Sequence, residues 1–216
     1  TEAKIRFKNN KIYLDDKIIN FSEGVKFAYE NRISLSATGF YATPEISWNR
    51  ETGKGRPFFY FAYGAAITEV AVDTLTGETS LIRTDILHDC GRSLNTAIDL
   101  GQIEGGYAQG VGWLTSEELI WNKKGALMTH APSTYKIPAI GDRPDVFNVA
   151  LWNAPNSEQT IYRSKAVGEP PLMLGISVLM ALSDALLSCG KSYPALDAPA
   201  TAEQILMSIE RMRHGV

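Results

Sequence analysis

The stretch Phe58–His88, FFYFAYGAAITEVAVDTLTGETSLIRTDILH, decides how the fold is read. Its first arm, Phe58–Val72, is rich in aromatic and β-branched residues, Thr74-Leu75-Thr76-Gly77 supplies turn chemistry, and Thr79–His88 resumes as the second arm. That combination predicts an antiparallel hairpin. Toward the N-terminus, Pro44, Gly53, Gly55 and Pro57 lie among charges and make residues 42–57 a loop. Ile33–Tyr41 reads as a strand. Ser22 reads as the N-cap of a short helix ending near Asn31. Lys4–Lys8 and Ile12–Leu14 read as short strands around an Asn9-Asn10 turn.

On the C-terminal side the pattern changes at Asn95–Leu119. Gly101, Gly105, Ala108 and Gly112 recur at helical spacing and give one face made only of tiny residues. A helical glycine costs about 1 kcal/mol against alanine, so such a face needs a purpose. Close packing of a neighbour and close approach of a bulky cofactor both satisfy it, and spacing does not choose between them. Leu114–Trp121 and Phe147–Trp152 read as strands, with a turn near Asn122–Gly125. Pro170–Ser188 is apolar nearly all round and predicts a buried helix. Thr201-Ala-Glu-Gln204 is a capping box opening a last helix to about Arg213. Strands and helices without regular βαβ alternation predict an α+β fold, with antiparallel or mixed strands and several packed helices.

Composition narrows the function classes. With 216 residues the chain makes one large or two small domains, and 44% hydrophobic and 21% charged residues suit a globular core. A net charge of −3 provides no basic field for nucleic acid. No long apolar run is free of polar residues, so no membrane span is expected. Cys90 and Cys189 form no CxxC pair and no disulfide framework, which suits a reducing cytoplasm. Cys90 itself reads as a small buried hydrophobe. A chain opening on Thr1 rather than Met reads as a piece of something larger.

Several constellations have plain explanations. His88, His130 and His214 lie outside metal-ligand spacing of one another and of the cysteines, so no metal-ligand set is expected. Gly190-Lys191-Ser192 resembles the end of a phosphate loop, but Ala185 stands where that motif needs glycine. It reads as a helix exit capped by Gly190. Glu117 and Glu118, read as neighbours on a strand, would face opposite ways and share no site.

Lys165-Ala-Val-Gly-Glu169-Pro-Pro171 is different, because a carboxylate directly precedes two prolines that open a helix. Desolvation by the apolar helix would raise its pKa and the positive helix end would lower it. An acidic helix cap and a poised general base are both open on these grounds.

At these residues the chain resembles the molybdenum hydroxylase (xanthine oxidase) family. Lys165–Leu172 is similar to that family's active-site glutamate motif, and Asp99-Leu-Gly-Gln-Ile-Glu-Gly105 to its glutamine-bearing cofactor segment. Pro132–Pro138 and Ser34–Tyr41 match as well, and the resemblance runs from about residue 4 to 213. It falls on the C-terminal part of the molybdenum-binding subunit of the bacterial xanthine-oxidising members. Where the family more often has an aliphatic residue, this chain has Cys90.

The resemblance implies residues 1–216 of a molybdopterin-binding domain, in one or two subdomains, and catalysis by a larger enzyme of purine catabolism. It implies a molybdopterin cofactor shared with the rest of the subunit. Glu169 would be the general base on a metal-bound hydroxyl, and Gln102 would hydrogen-bond near metal and pterin. FAD and 2Fe-2S centres would lie elsewhere in the complex. The implied partners are the remainder of the molybdenum subunit, a FAD/iron–sulfur subunit and a purine, in an oligomer. By itself the chain is expected to be inactive. An aldehyde-oxidising relative and a non-catalytic assembly module are the alternatives.

Overall fold

A computed structural model describes residues 5–214. Chain contacts divide it into a smaller unit ending at Pro44 and a larger one beginning at Glu45.

In the smaller unit, β1 (Ile5–Lys8), β2 (Lys11–Leu14) and β3 (Lys17–Asn20) form an antiparallel meander. Asn9 and Asn10 turn the first hairpin at φ 50° and 55°, a conformation asparagine tolerates better than most residues. Helix α1 (Phe21–Glu30) follows directly. Its cap is Asn20 rather than Ser22, because the Asn20 N–H donates to the Glu23 carboxylate at 3.1 Å. The predicted strand over Ile33–Tyr41 is absent. Its residues have suitable propensity but pair with no neighbouring edge, and β propensity alone does not make a ladder.

The larger unit starts with a small hairpin, β4 (Ser47–Asn49) and β5 (Lys54–Arg56), inside the stretch read as loop. Its sheet has the order β6 (Gly64–Val72), β7 (Thr79–His88), β8 (Val146–Leu151). The first pair is the antiparallel hairpin read from the sequence, with an irregularity at Glu69/Val70. The second pair is parallel. The first arm begins at Gly64 and not Phe58, since residues 58–63 turn away to other partners.

Helix α2 (Thr96–Thr115) runs through the start of the predicted Leu114–Trp121 strand. The Thr115 hydroxyl bonds back to Val111 O at 2.7 Å, and the Ser116 and Glu117 N–H groups both bond to Gly112 O. That keeps the chain helical, and Trp121 makes only an isolated bridge to Leu127. Glu117 is therefore not on a strand, and its carboxylate accepts the Tyr135 hydroxyl at 2.5 Å.

Pro170–Gly175 is a tight 3-10 turn that leads into α3 (Ile176–Leu186). The predicted helix is buried on one face only: Val178, Leu182 and Leu186 point inward, while Met180 is 58% and Leu187 47% exposed. The segment Pro170–Cys189 is long and apolar enough to cross a bilayer by length and composition, yet that inward face packs into the core. Helix α4 (Ala202–His214) opens with one half of the expected capping box: Gln204 N–H bonds to the Thr201 hydroxyl at 3.3 Å, while the Thr201 N–H donates to Pro199 O at 2.8 Å. Gly190 follows the preceding helical segment in an extended rather than left-handed conformation, φ −163°. Glycine is needed there for close approach, since a β-carbon would stand 2.8 Å from Met212 O.

Ile86, Ile103, Tyr107, Val178, Leu182, Ile205 and Ile209 form the core where α2, α3 and α4 meet the sheet. Each such side chain contributes about 1.5–3 kcal/mol on burial. Hydroxyls at this interface are paired: the Thr84 hydroxyl meets Tyr107 OH at 2.8 Å, and Thr68 meets Ser177 at 2.8 Å.

Candidate functional site

The glycines of α2 divide into two sets. Gly106 and Gly110 face the 170–175 turn, where a β-carbon on Gly110 would stand 2.1 Å from Leu172 O. A β-carbon on Gly175 would in turn stand 2.6 Å from the Gly110 carbonyl carbon. Helix and turn therefore touch backbone to backbone. Gly101 and Gly105 face open space. The single face of 101, 105, 108 and 112 expected from spacing is therefore not one contact surface: the packing uses 106 and 110, and Gly112 abuts Pro138.

This packing brings the two sequence-predicted residues together. Gln102 projects from α2 beside the open glycines, and its Oε1 lies 3.2 Å from where a Gly168 β-carbon would be. Glu169 follows immediately, at the entry to the 3-10 turn, with Pro170 and Pro171 in the first turn. Its backbone carbonyl accepts the Leu172 N–H at 3.1 Å, but its side chain makes no capping bond. Both side chains are exposed. Glu169 is thus exposed at the helix entry and makes no bond to its end.

The loop before Glu169 is held by residues far away in sequence. Tyr162 and Arg163 both have positive φ, 51° and 61°. The Arg163 guanidinium donates to Asn156 O and Ser157 O, each at 2.8 Å, and the buried Asn156 amide donates to Thr160 Oγ1 and Ser164 O. The Lys165 N–H bonds to Cys90 O and the Ala166 N–H to the Tyr60 hydroxyl, at 2.8 and 2.9 Å.

Two titrating groups near this loop and one on the sheet are perturbed. His88 is 1% exposed, and neither ring nitrogen has a partner among the described residues. Burial pushes its pKa below the ordinary histidine value, with the Asp89 carboxylate opposing and the Lys165 ammonium assisting. The Cys90 thiol is pushed up by burial and by the Asp99 carboxylate. Asp99, in the first turn of α2, also accepts the Ser93 hydroxyl at 2.6 Å and ties the helix start to that loop. On the central strand β7, hydrogen bonds from Arg83 and Asn148 hold Asp85 down to about 2.

A cleft of about 540 Å³, lined by Leu81, Thr115, Lys136, Pro138 and Arg143 among others, includes neither Gln102 nor Glu169. Those two stand on an open edge. Among the described residues no three His, Cys, Asp or Glu side chains converge as a metal-ligand group. The edge suits a large polar group: an amide with donors and an acceptor, a free carboxylate, and two glycines beside them with nothing above.

Comparison with known proteins adds the family. Residues 1–144 match the molybdopterin cofactor-binding domain model. Xanthine dehydrogenase/oxidase of Gallus gallus is 54% identical over 192 residues, 86% of this chain and 14% of that protein. The protein of the same name from Felis catus is 47% identical over 194 residues, 86% of this chain and 15% of that protein. Quinoline 2-oxidoreductase from Pseudomonas putida 86 superimposes with a TM-score of 0.65 at 25% identity, over 96% of this chain and 26% of its own.

Fold and matches together define a molybdopterin cofactor-binding domain. The chain belongs to the molybdopterin cofactor-binding domain family. It spans about a seventh of the length of the two xanthine dehydrogenases. Both are vertebrate proteins, so they do not single out the bacterial branch.

Proposed function

We propose that this chain is the part of a purine-hydroxylating molybdenum enzyme that contributes Glu169 and Gln102 to the molybdopterin site. The observation that carries the proposal is the free Glu169 carboxylate, set beside the Gln102 amide across Gly168. The relatives' names supply the substrate class.

When bound, the molybdenum–pterin group supplies the two-electron redox chemistry that a carboxylate and an amide do not. Overall, a ring carbon of the purine loses a hydrogen and two electrons and gains an oxygen from water. Glu169 takes the proton from the attacking hydroxyl at a carboxylate oxygen, which makes that oxygen a better nucleophile. Gln102 donates through its NH₂ and accepts through Oε1, orienting polar atoms of the cofactor. Gly101 and Gly105 keep the helix surface thin enough for the group to approach.

Further parts follow from this reading. The rest of the molybdenum subunit completes the site over the open edge, and FAD and 2Fe-2S centres elsewhere in the complex take the electrons. The assembly is an oligomer in the cytoplasm, and the chain alone is inactive. In the complete enzyme, Glu169→Ala should lower xanthine-to-urate turnover roughly 100- to 10,000-fold while molybdenum stays bound. Unchanged turnover at full molybdenum content would remove Glu169 from the chemistry.

A further inference from the structure

Lys165 sits four residues before Glu169, and its side chain is 7% exposed. The ammonium has three neighbours in three directions. It donates to Asp89 Oδ2 at 2.5 Å and to Phe61 O at 2.9 Å, and it lies 5.1 Å from the centre of the Tyr63 ring. An ammonium has three N–H bonds, so this set satisfies it without water.

Asp89, 17% exposed, is equally committed. Its Oδ1 accepts the Gly91 N–H at 2.8 Å, and its own N–H donates to Tyr63 O at 2.8 Å. Gly91 has φ +64°, and a β-carbon there would stand 2.5 Å from Arg163 O. Three segments, 61–63, 89–91 and 163–166, therefore converge on one ion pair.

Downstream of Glu169 the chain is clamped again, by Pro171 and Leu172 against Gly106 and Gly110. Only Val167, Gly168, Glu169 and Pro170 lie between Ala166 and Pro171, and Val167 packs against the core. Surface ion pairs do little, but a buried pair fixes geometry, and losing one partner leaves an uncompensated charge. A tether to fixed groups also transmits position, because catalysis is sensitive to displacements of about 1 Å.

We propose that the Lys165–Asp89 pair is a positioning element that sets where the Glu169 carboxylate stands. Neither residue touches the reacting atoms. The proposal rests on the reading of Glu169 as the base, so the test separates the two.

In the complete enzyme, Lys165→Met, Asp89→Asn, Lys165→Arg and Glu169→Gln are compared for kcat, KM, molybdenum content and amide hydrogen exchange over residues 164–169. Lys165→Met and Asp89→Asn should lower kcat at least 10-fold, leave KM within about twofold, retain molybdenum and speed exchange in that segment. Lys165→Arg, which keeps the charge, should recover part of the loss. If Lys165→Met does not accumulate, Tyr60→Phe removes only the Ala166 anchor and should show the same pattern at smaller size.

Unchanged kcat and exchange in Lys165→Met and Asp89→Asn, with Glu169→Gln inactive, would overturn the positioning role and leave the base in place. Faster exchange in those variants, with Glu169→Gln fully active, would instead overturn the base.

Discussion

The Gln102 amide oxygen lies against the backbone of Gly168, 3.2 Å from the point where any larger residue would place its β-carbon. Two residues 66 positions apart in the chain thus share one contact, and Glu169 is the next residue along. Gly168→Ala should therefore displace Gln102 or the loop by a few tenths of an ångström. We expect less than about 1 kcal/mol of lost stability but a clear loss of turnover. Melting temperature and kcat measured side by side check this, and proportional losses in both would contradict it.

The two glycine sets of α2 should respond oppositely to alanine. Gly110→Ala drives a β-carbon into Leu172 O and should destabilise by about 1–3 kcal/mol or more. Gly105→Ala meets open space and should stabilise the helix by up to about 1 kcal/mol. If that face receives the pterin, the same Gly105→Ala chain should hold less molybdenum. Thermal unfolding and metal analysis of both variants decide the matter.

Acid should weaken the domain through His88. Its folded-state pKa lies below the ordinary 6.5, so on acidification the unfolded chain takes up the proton first. The contribution of the neutral imidazole is complete above about pH 6.5 and is lost as the pH falls from there toward the lower folded value. One proton accounts for at most about 1.4 kcal/mol per pH unit. His88→Leu gives up no hydrogen bond among the described residues and removes the titration. Its melting temperature should vary less between pH 7.5 and 5.5 than that of the parent. Parallel slopes would assign the acid sensitivity to other groups.

Local chemistry was legible where the structure is local. The Thr74–Gly77 turn, the Thr201 cap and the β-branched residues of the hairpin arms all specify their own elements. The same reasoning went astray where partners decide. Ile33–Tyr41 has strand residues but no edge to pair with, and α2 ran past Leu114 because side-chain and main-chain bonds sustained its last turn.

For the candidate site, the motifs pointed to Gln102 and Glu169. Which glycines pack and which stay open depends on the 170–175 turn, more than 60 residues beyond them. Asp89 and Tyr60 lie 76 and 106 positions from the loop residues they hold. No periodicity within either stretch announces such a pairing.

The Gly110–Gly175 contact works as a calliper. Where side chains separate two elements, a rotamer change can open or close the gap. Here main chain meets main chain, so the spacing has no soft coordinate. Gln102 lies about 12 Å along the helix from that contact, and Glu169 six residues before it on the other arm. The spacing of the two backbones that carry amide and carboxylate is therefore settled when the domain folds, before any ligand arrives. Altering it would take a backbone change rather than a different side chain.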